Sequence, residues 1–131
     1  MGDAVACVER ALRLLAEDQA VNLPRQRVRV DKLLLHVLPA GSAELGYVGL
    51  KAYTTGPSGA RFYFLQFDAR SGELVAMMQA DRLGQIRTGA ASGVATKFMA
   101  REDATRVGIY GTGWQARSQL QAIAEVRPIV S

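Results

Sequence analysis

The segment Gly111-Thr112-Gly113-Trp114-Gln115-Ala116 has the residue types of a turn that binds a dinucleotide. In such a turn the first glycine allows a tight bend, the second lets the backbone approach a pyrophosphate, and a small residue at the last position permits close packing of the following helix. The N–H groups at the start of that helix then face the anion. The segment therefore predicts phosphate recognition by backbone groups.

The elements around this turn strengthen the prediction, because the motif is informative only between a strand and a helix. Residues 106–110 are predicted to form a short strand, and residues 116–126 read as a helix. A purely structural turn is the alternative, and the strand-turn-helix context favours a nucleotide. We predict that NAD or NADP is the cofactor. The residue that selects between the two usually lies about 20 residues past the glycines, and the chain ends before that point.

Composition and charge narrow the class of protein. The chain has 131 residues, of which 49% are hydrophobic and 21% charged, as expected for one soluble globular domain. No apolar run approaches the roughly 20 residues that span a bilayer, and no secretory signal is recognisable, so we expect a cytoplasmic protein without a membrane segment. Cys7 is the only cysteine, which excludes an internal disulfide and a cysteine-based zinc site. We expect it to be buried in a helix, without a chemical role.

The net charge of +4 is a modest excess that could favour anionic ligands. Arg27 and Arg29 alternate with Val28 and Val30, which is typical of a half-buried strand with one wet face. No aromatic residues interleave with these charges to stack on bases, so we predict no nucleic-acid partner. The single histidine, His36, belongs to no motif, and we predict a surface or core residue and no metal site.

Periodicity and turn residues predict the elements that must position these groups. Helical spacing of apolar residues predicts an amphipathic helix over residues 3–18 and a second helix over 81–100, with Leu83, Ile86, Ala90, Val94 and Phe98 on its apolar stripe. Small residues at 89–95 would let another backbone or a flat ligand come close to the second helix. Strands are predicted at 28–30, 33–38, 47–54, 61–67 and 73–78, the last two as an antiparallel hairpin turning at Gly72.

These elements predict an α+β domain over residues 1–104, followed over 105–131 by the first β-α unit of a Rossmann domain. One strand and one helix cannot complete a nucleotide-binding half, which needs three strands and two crossover helices. We therefore expect a fragment of a longer enzyme, short at its N-terminus, with apolar surface exposed around Val107, Ile109, Leu120 and Ile123.

Three groups of residues, in this order, resemble the ornithine cyclodeaminase/mu-crystallin family. They are Gly49-Leu50-Lys51-Ala52-Tyr53, Gln85-Ile86-Arg87-Thr88-Gly89-Ala90-Ala91, and the glycine turn from Gly111 to Ala116. Asn22-Leu23-Pro24-Arg25, the hairpin around Gly72 and Ser92-Gly93-Val94-Ala95-Thr96-Lys97 support the likeness, which covers essentially the whole chain.

The resemblance implies an enzyme that moves hydride between a nicotinamide and an amino or imino acid. It also implies a homodimer, with residues 1–104 as the substrate-binding and dimerisation domain. It implies that Lys51 is the active-site lysine in contact with substrate, and that Arg25 and Arg87 bind the substrate carboxylate. Arg87, Thr88, Gly111, Gly113, Trp114, Gln115 and Ala116 match cofactor-contacting positions. A planar guanidinium suits these assignments, because it holds a carboxylate through two parallel hydrogen bonds.

Several activities remain open at this stage. Ornithine could be converted to proline with release of ammonia, or a cyclic ketimine or pyrroline carboxylate could be reduced. A non-catalytic binding protein of the mu-crystallin type and an inactive truncation are the alternatives. Without the resemblance, Lys51 would be read as a solvent-facing charge on a strand, and Arg87 as a partner of Asp81 or Glu73.

Overall fold

The computed structural model describes residues 1–131 and contains three helices and six strands. In chain order they are α1 (Gly2–Ala16), β1 (Ala20–Asn22), β2 (Gln26–Val30), β3 (Leu33–Ser42), β4 (Tyr47–Gly56), β5 (Gly59–Asp68), β6 (Leu74–Gln79), α2 (Asp81–Met99) and α3 (Trp114–Val126). The helix and the antiparallel-rich sheet predicted for the first part of the chain are confirmed. Every predicted element up to α2 is found, with ends that differ by a few residues.

All six strands form one antiparallel sheet in the order β1-β3-β4-β5-β6, with β2 also paired to β3. The long strand β3 pairs with β2 along its first half and with β1 along its second half.

The predicted hairpin of β5 and β6 is confirmed, and Gly72 in its turn has the positive φ of 74° that favours glycine. In the same turn, Oδ1 of Asp68 accepts hydrogen bonds from the backbone N–H groups of Arg70 and Ser71, both at 2.8 Å. Those bonds hold the pKa of Asp68 below its ordinary value.

The chain divides into two compact units, Met1–Leu12 with Arg82–Ser131 and Arg13–Asp81. The first unit is helical, and its core consists of Val5, Ala90, Val94 and Ala122, drawn from all three helices. The second unit contains the whole sheet. The division of the chain at residue 104 stays a prediction.

Helices α2 and α3 pack through small residues, and this corrects the predicted apolar stripe. Leu83 and Phe98 are exposed, whereas the buried residues of α2 are Gln85, Gly89, Ala90, Gly93 and Val94. A Cβ atom at Gly89 would overlap the backbone carbonyl of Ser118, and one at Gly93 would lie 2.9 Å from the carbonyl oxygen of Ala122. The small face of α2 therefore receives the backbone of α3, which is one of the two uses predicted for it.

The predicted strand over residues 106–110 is absent, so the glycine turn leads into α3 without a strand before it. Only two backbone hydrogen bonds, from Val107 N–H to Ser131 and from Val130 N–H to Thr105, join this segment to a neighbour. A parallel strand is normally stabilised by neighbours on both sides, and two bonds do not make a ladder. Ile109 and Leu120 are exposed, as predicted, while Val107 and Ile123 are half-buried.

The structure also bears on the predictions for Cys7 and for membrane-spanning segments. Cys7 is exposed, so the prediction that it is buried was wrong; it lies on the outer face of α1 rather than on the face of Val5. No helix combines the length and the apolar character that a membrane-spanning segment needs.

Candidate active site

A row of four side chains crosses one face of the sheet and forms the floor of the candidate site. Arg27 on β2 pairs with His36 on β3, His36 pairs with Tyr53 on β4, and Tyr53 pairs with Phe62 on β5. Directly paired residues on neighbouring strands point to the same side of a sheet. The three rings stack, with centroids 4.2 Å apart for His36 and Tyr53 and 4.8 Å apart for Tyr53 and Phe62.

Lys51 and Arg25 both lie close to this row of rings. Lys51 lies two residues before Tyr53 on β4, so both side chains are on the same face. Its Nζ atom is 4.9 Å from the ring centroids of both Tyr53 and Phe62. Cζ of Arg25, from the loop between β1 and β2, is 5.8 Å from the centre of the Tyr53 ring. Aromatic faces attract cations, so both positive groups are held close to the ring of Tyr53.

His36 is buried in this row and is held by hydrogen bonding and stacking. Its Nε2 atom lies 3.1 Å from Oγ1 of Thr55, whereas its Nδ1 atom is buried without a hydrogen-bond partner. Burial lowers the pKa of His36 below its ordinary value of 6.5, and the positive charges of Arg27 and Arg25 lower it further. The ring is therefore neutral at pH 7, and it adds no charge to the cations beside it.

The lowered pKa of His36 predicts how stability depends on pH. Below about pH 6.5 the unfolded chain binds a proton at this residue more readily than the folded chain does. The free energy of unfolding should therefore fall as the pH drops from 7 towards 5, and His36→Gln should remove most of that slope. Urea unfolding at several pH values measures this. An unchanged slope in His36→Gln would show that another group is responsible.

The other predicted site residues lie in the helical unit. Arg87 is exposed on α2 and makes no ion pair, so the reading of it as a structural ion-pair partner was wrong. Oγ1 of Thr88 donates to the carbonyl of Gly84 at 2.7 Å, one turn earlier in the same helix. The hydroxyl of Thr88 is thereby oriented along α2.

The glycine turn leads directly into α3 and is tied to α2 by a buried glutamine. Gln85 donates from Nε2 to the carbonyl oxygen of Trp114, and its Oε1 accepts from Arg82 at 2.6 Å. Gly111 has a φ of 90°, and added Cβ atoms at Gly111 and Gly113 would meet no atom within 4 Å. The space above both glycines is open, which leaves room for a ligand against the backbone.

Within each unit the structure thus groups the predicted residues. Arg25 and Lys51 both lie close to the ring of Tyr53, and Arg87 and Thr88 share α2, against which the helix after the glycine turn packs. Sequence reasoning missed the stacked rings of His36, Tyr53 and Phe62, and it missed Gln85. Tyr53 follows Lys51 by two residues, and that strand spacing was the available signal. The structure contains no group of three or more His, Cys, Asp or Glu side chains placed to hold a metal ion.

Comparison with known proteins decides the family. The model of the ornithine cyclodeaminase/mu-crystallin family matches residues 1–131, which is the whole chain. The chain belongs to this family. Among the similar proteins of the family is alanine dehydrogenase from Archaeoglobus fulgidus, which is 32% identical over 96% of this chain and 41% of its own length.

Two solved structures of the family share the fold. One is Thermococcus litoralis Δ1-pyrroline-2-carboxylate reductase in complex with NADH and L-proline, with a TM-score of 0.88 and 32% identity over 96% of this chain and 42% of that one. The other is an archaeal alanine dehydrogenase dimer with bound NAD, with a TM-score of 0.91 and 32% identity over 98% of this chain and 42% of that one. The chain spans about two fifths of the length of the relatives it matches.

Proposed function

We propose that this chain provides the substrate-binding half and the first part of the cofactor site of an NAD(P)-dependent enzyme acting on an amino or imino acid. The observation that carries the proposal is the convergence of Lys51 and Arg25 on the ring of Tyr53. Two cations close to the same ring suit the α-carboxylate that all such substrates share. Family relatives that are alanine dehydrogenases and pyrroline-carboxylate reductases support the same class.

In this proposal Arg25 binds the α-carboxylate, and Arg87 is assigned to the substrate carboxylate by its place in the family motif. A guanidinium can form two parallel hydrogen bonds to a carboxylate, which fixes its plane as well as its position. Fixing the carboxylate orients the α-carbon, and orientation is a large part of what a protein contributes to hydride transfer. Exposed Arg87, without an ion-pair partner, is available for this contact.

The glycine turn fits a nicotinamide dinucleotide. The open space above Gly111 and Gly113 admits a pyrophosphate to the backbone, and α3 begins immediately after them at Trp114 without a side-chain cap, leaving its first N–H groups available. When bound, the cofactor supplies or accepts the hydride at the α-carbon. Thr88, Trp114, Gln115 and Ala116 are the other residues that we assign to its binding, with Gln85 holding Trp114 in place. This arrangement does not distinguish NAD from NADP.

Lys51 is the residue to which we assign proton transfer. Its ammonium group lies beside the site proposed for the carboxylate, and it can donate a proton to the nitrogen of an imine next to that carboxylate. A protonated imine carbon accepts electrons more readily. In the reverse direction, the neutral amine of Lys51 would accept the proton from nitrogen.

The opposite face of the sheet is the surface that we assign to a homodimer. Val28, Val30, Leu33, Leu35 and Met77 share this face through their strand pairings, and each is exposed. An apolar surface of this kind is typical of a protein interface. One of the similar structures is a dimer, which supports a second copy of the chain as the partner.

A substrate screen of the full-length protein tests the proposed function. Reduction of cyclic ketimines, of pyrroline carboxylate, or of 2-oxo acids with ammonia should lower the absorbance of NADH or NADPH. Ornithine cyclodeamination would instead release ammonia without a net change in that absorbance. We expect turnover with at least one of these substrates. Binding of amino acids without turnover on any of them would instead favour the non-catalytic protein of the mu-crystallin type.

A further inference from the structure

The face of the sheet that carries Lys51 has an excess of positive charge. Arg27, Arg29 and Lys51 share this face, and Arg25 reaches it from the adjoining loop. Among all six strands the only acidic residue is Asp68, and its carboxylate accepts the two backbone hydrogen bonds of the β5–β6 turn. The strands therefore offer no carboxylate that could bind a positively charged substrate side chain.

The proposed α-carboxylate site uses only part of this charge. Arg25 and Arg87 are assigned to the α-carboxylate and Lys51 to proton transfer beside it, which leaves Arg27 at the other end of the stacked row. Arg27 is directly opposite His36 in the register, is exposed, and makes no ion pair. Its charge acts on the buried ring of His36, whose Nδ1 atom has no hydrogen-bond partner. An exposed cation with no ion-pair partner, on a face whose strands carry no free carboxylate, is a place where a carboxylate would be stabilised.

We propose that the substrate has a second carboxylate on its side chain, and that Arg27 binds it beside His36. The substrate class is then a dicarboxylic amino or imino acid, and diamino acids such as ornithine are disfavoured by repulsion from the same cations. This inference rests on the proposed function, because it takes the α-carboxylate to lie at Arg25, beside Lys51.

Pairs of acid and amide ligands isolate the charge of the side chain. Calorimetric titration of the full-length protein with L-aspartate and L-asparagine, and with L-glutamate and L-glutamine, compares ligands of nearly equal shape. At least one acid should bind about tenfold more tightly than its amide, the effect of one charge-assisted hydrogen bond. Arg27→Gln should abolish that difference and leave amide binding unchanged. Arg29→Gln, on the same strand and face, is the matched control and should retain it.

The pKa of His36 provides a second readout. A carboxylate bound at Arg27 offsets the positive charge that acts on His36, so saturation with the acid should raise the pKa of His36 measured by NMR, and the amide should not. Equal binding of acid and amide, or a preference retained in Arg27→Gln, would overturn the second-carboxylate inference and leave the proposed function standing. Failure of all four ligands, together with no turnover in the substrate screen, would overturn both.

Discussion

Replacing Lys51 by methionine should lower the turnover of the full-length enzyme by about 100-fold or more, because a positioned proton donor contributes 10²- to 10⁴-fold. Methionine keeps much of the length and apolar volume of the lysine stem, while it removes the charged group that lies 4.9 Å from the ring centroids of Tyr53 and Phe62. The substitution removes the group that protonates the imine. Steady-state kinetics with NADH and the best imine substrate measure the effect.

Lys32→Met is the control for this variant. Lys32 lies in the turn between β2 and β3, is exposed, and has no part in the proposed site. We expect the turnover of the Lys32→Met variant to equal that of the wild type. Unchanged turnover in Lys51→Met would refute the catalytic assignment even if substrate binding weakened.

Replacing Gly89 by alanine should destabilise the helical unit by about 3 kcal/mol, at the upper end of the range for overpacked sites. The added methyl group would overlap the backbone carbonyl of Ser118 and approach its Cβ atom to 2.8 Å. A flexible side chain could move away from such a contact, but the backbone of α3 can move only as a whole. That movement would also pull on the bond between Gln85 and Trp114.

Gly84→Ala is the matched control on the same helix. An added Cβ at Gly84 would meet no atom within 4 Å. Because alanine is the better helix former, this variant should be more stable by up to about 1 kcal/mol. Urea unfolding of both variants followed by circular dichroism measures the difference. Equal stability of the two would show that the close approach of α2 and α3 does not restrict residue 89.

The sheet was largely predictable because its strands alternate polar and apolar residues and are separated by turn residues. Gly72 and the β5–β6 hairpin show this most clearly. Strand β3 was predicted to end at residue 38 but continues through Pro39 to Ser42. At that end β3 pairs with β1, a three-residue strand too short to produce a pattern of its own.

The buried face of α2 could not be predicted from hydrophobicity. Glycine and alanine carry little apolar surface, so the prediction placed Leu83 and Phe98, rather than Gly89 and Gly93, on the buried face. In the structure Leu83 and Phe98 are exposed. What decides the buried face is how closely another backbone can approach, and that depends on α3. The strand predicted for residues 106–110 failed for a related reason, since a parallel strand depends on partners that its own residues do not specify.

The candidate site was predicted as separate residues rather than as an arrangement. Resemblance to the family identified Lys51, Arg25 and Arg87. The stacked row of His36, Tyr53 and Phe62 depends on the register of three strands, which sequence patterns alone did not give. The effect of the row on the site is electrostatic. The rings attract the cations of Lys51 and Arg25, and burial keeps His36 neutral.

Transfer of deuterium from the cofactor tests the central claim most directly. The full-length enzyme would be given NADH or NADPH labelled with deuterium at the transferring position, together with its imine substrate, and the amino-acid product analysed by mass spectrometry and NMR. The proposed function predicts deuterium at the α-carbon of the product, with the label incorporated far more slowly in Lys51→Met. Amino-acid product that carries no deuterium from either labelled cofactor would contradict the assignment of this chain to a nicotinamide-dependent site for amino and imino acids.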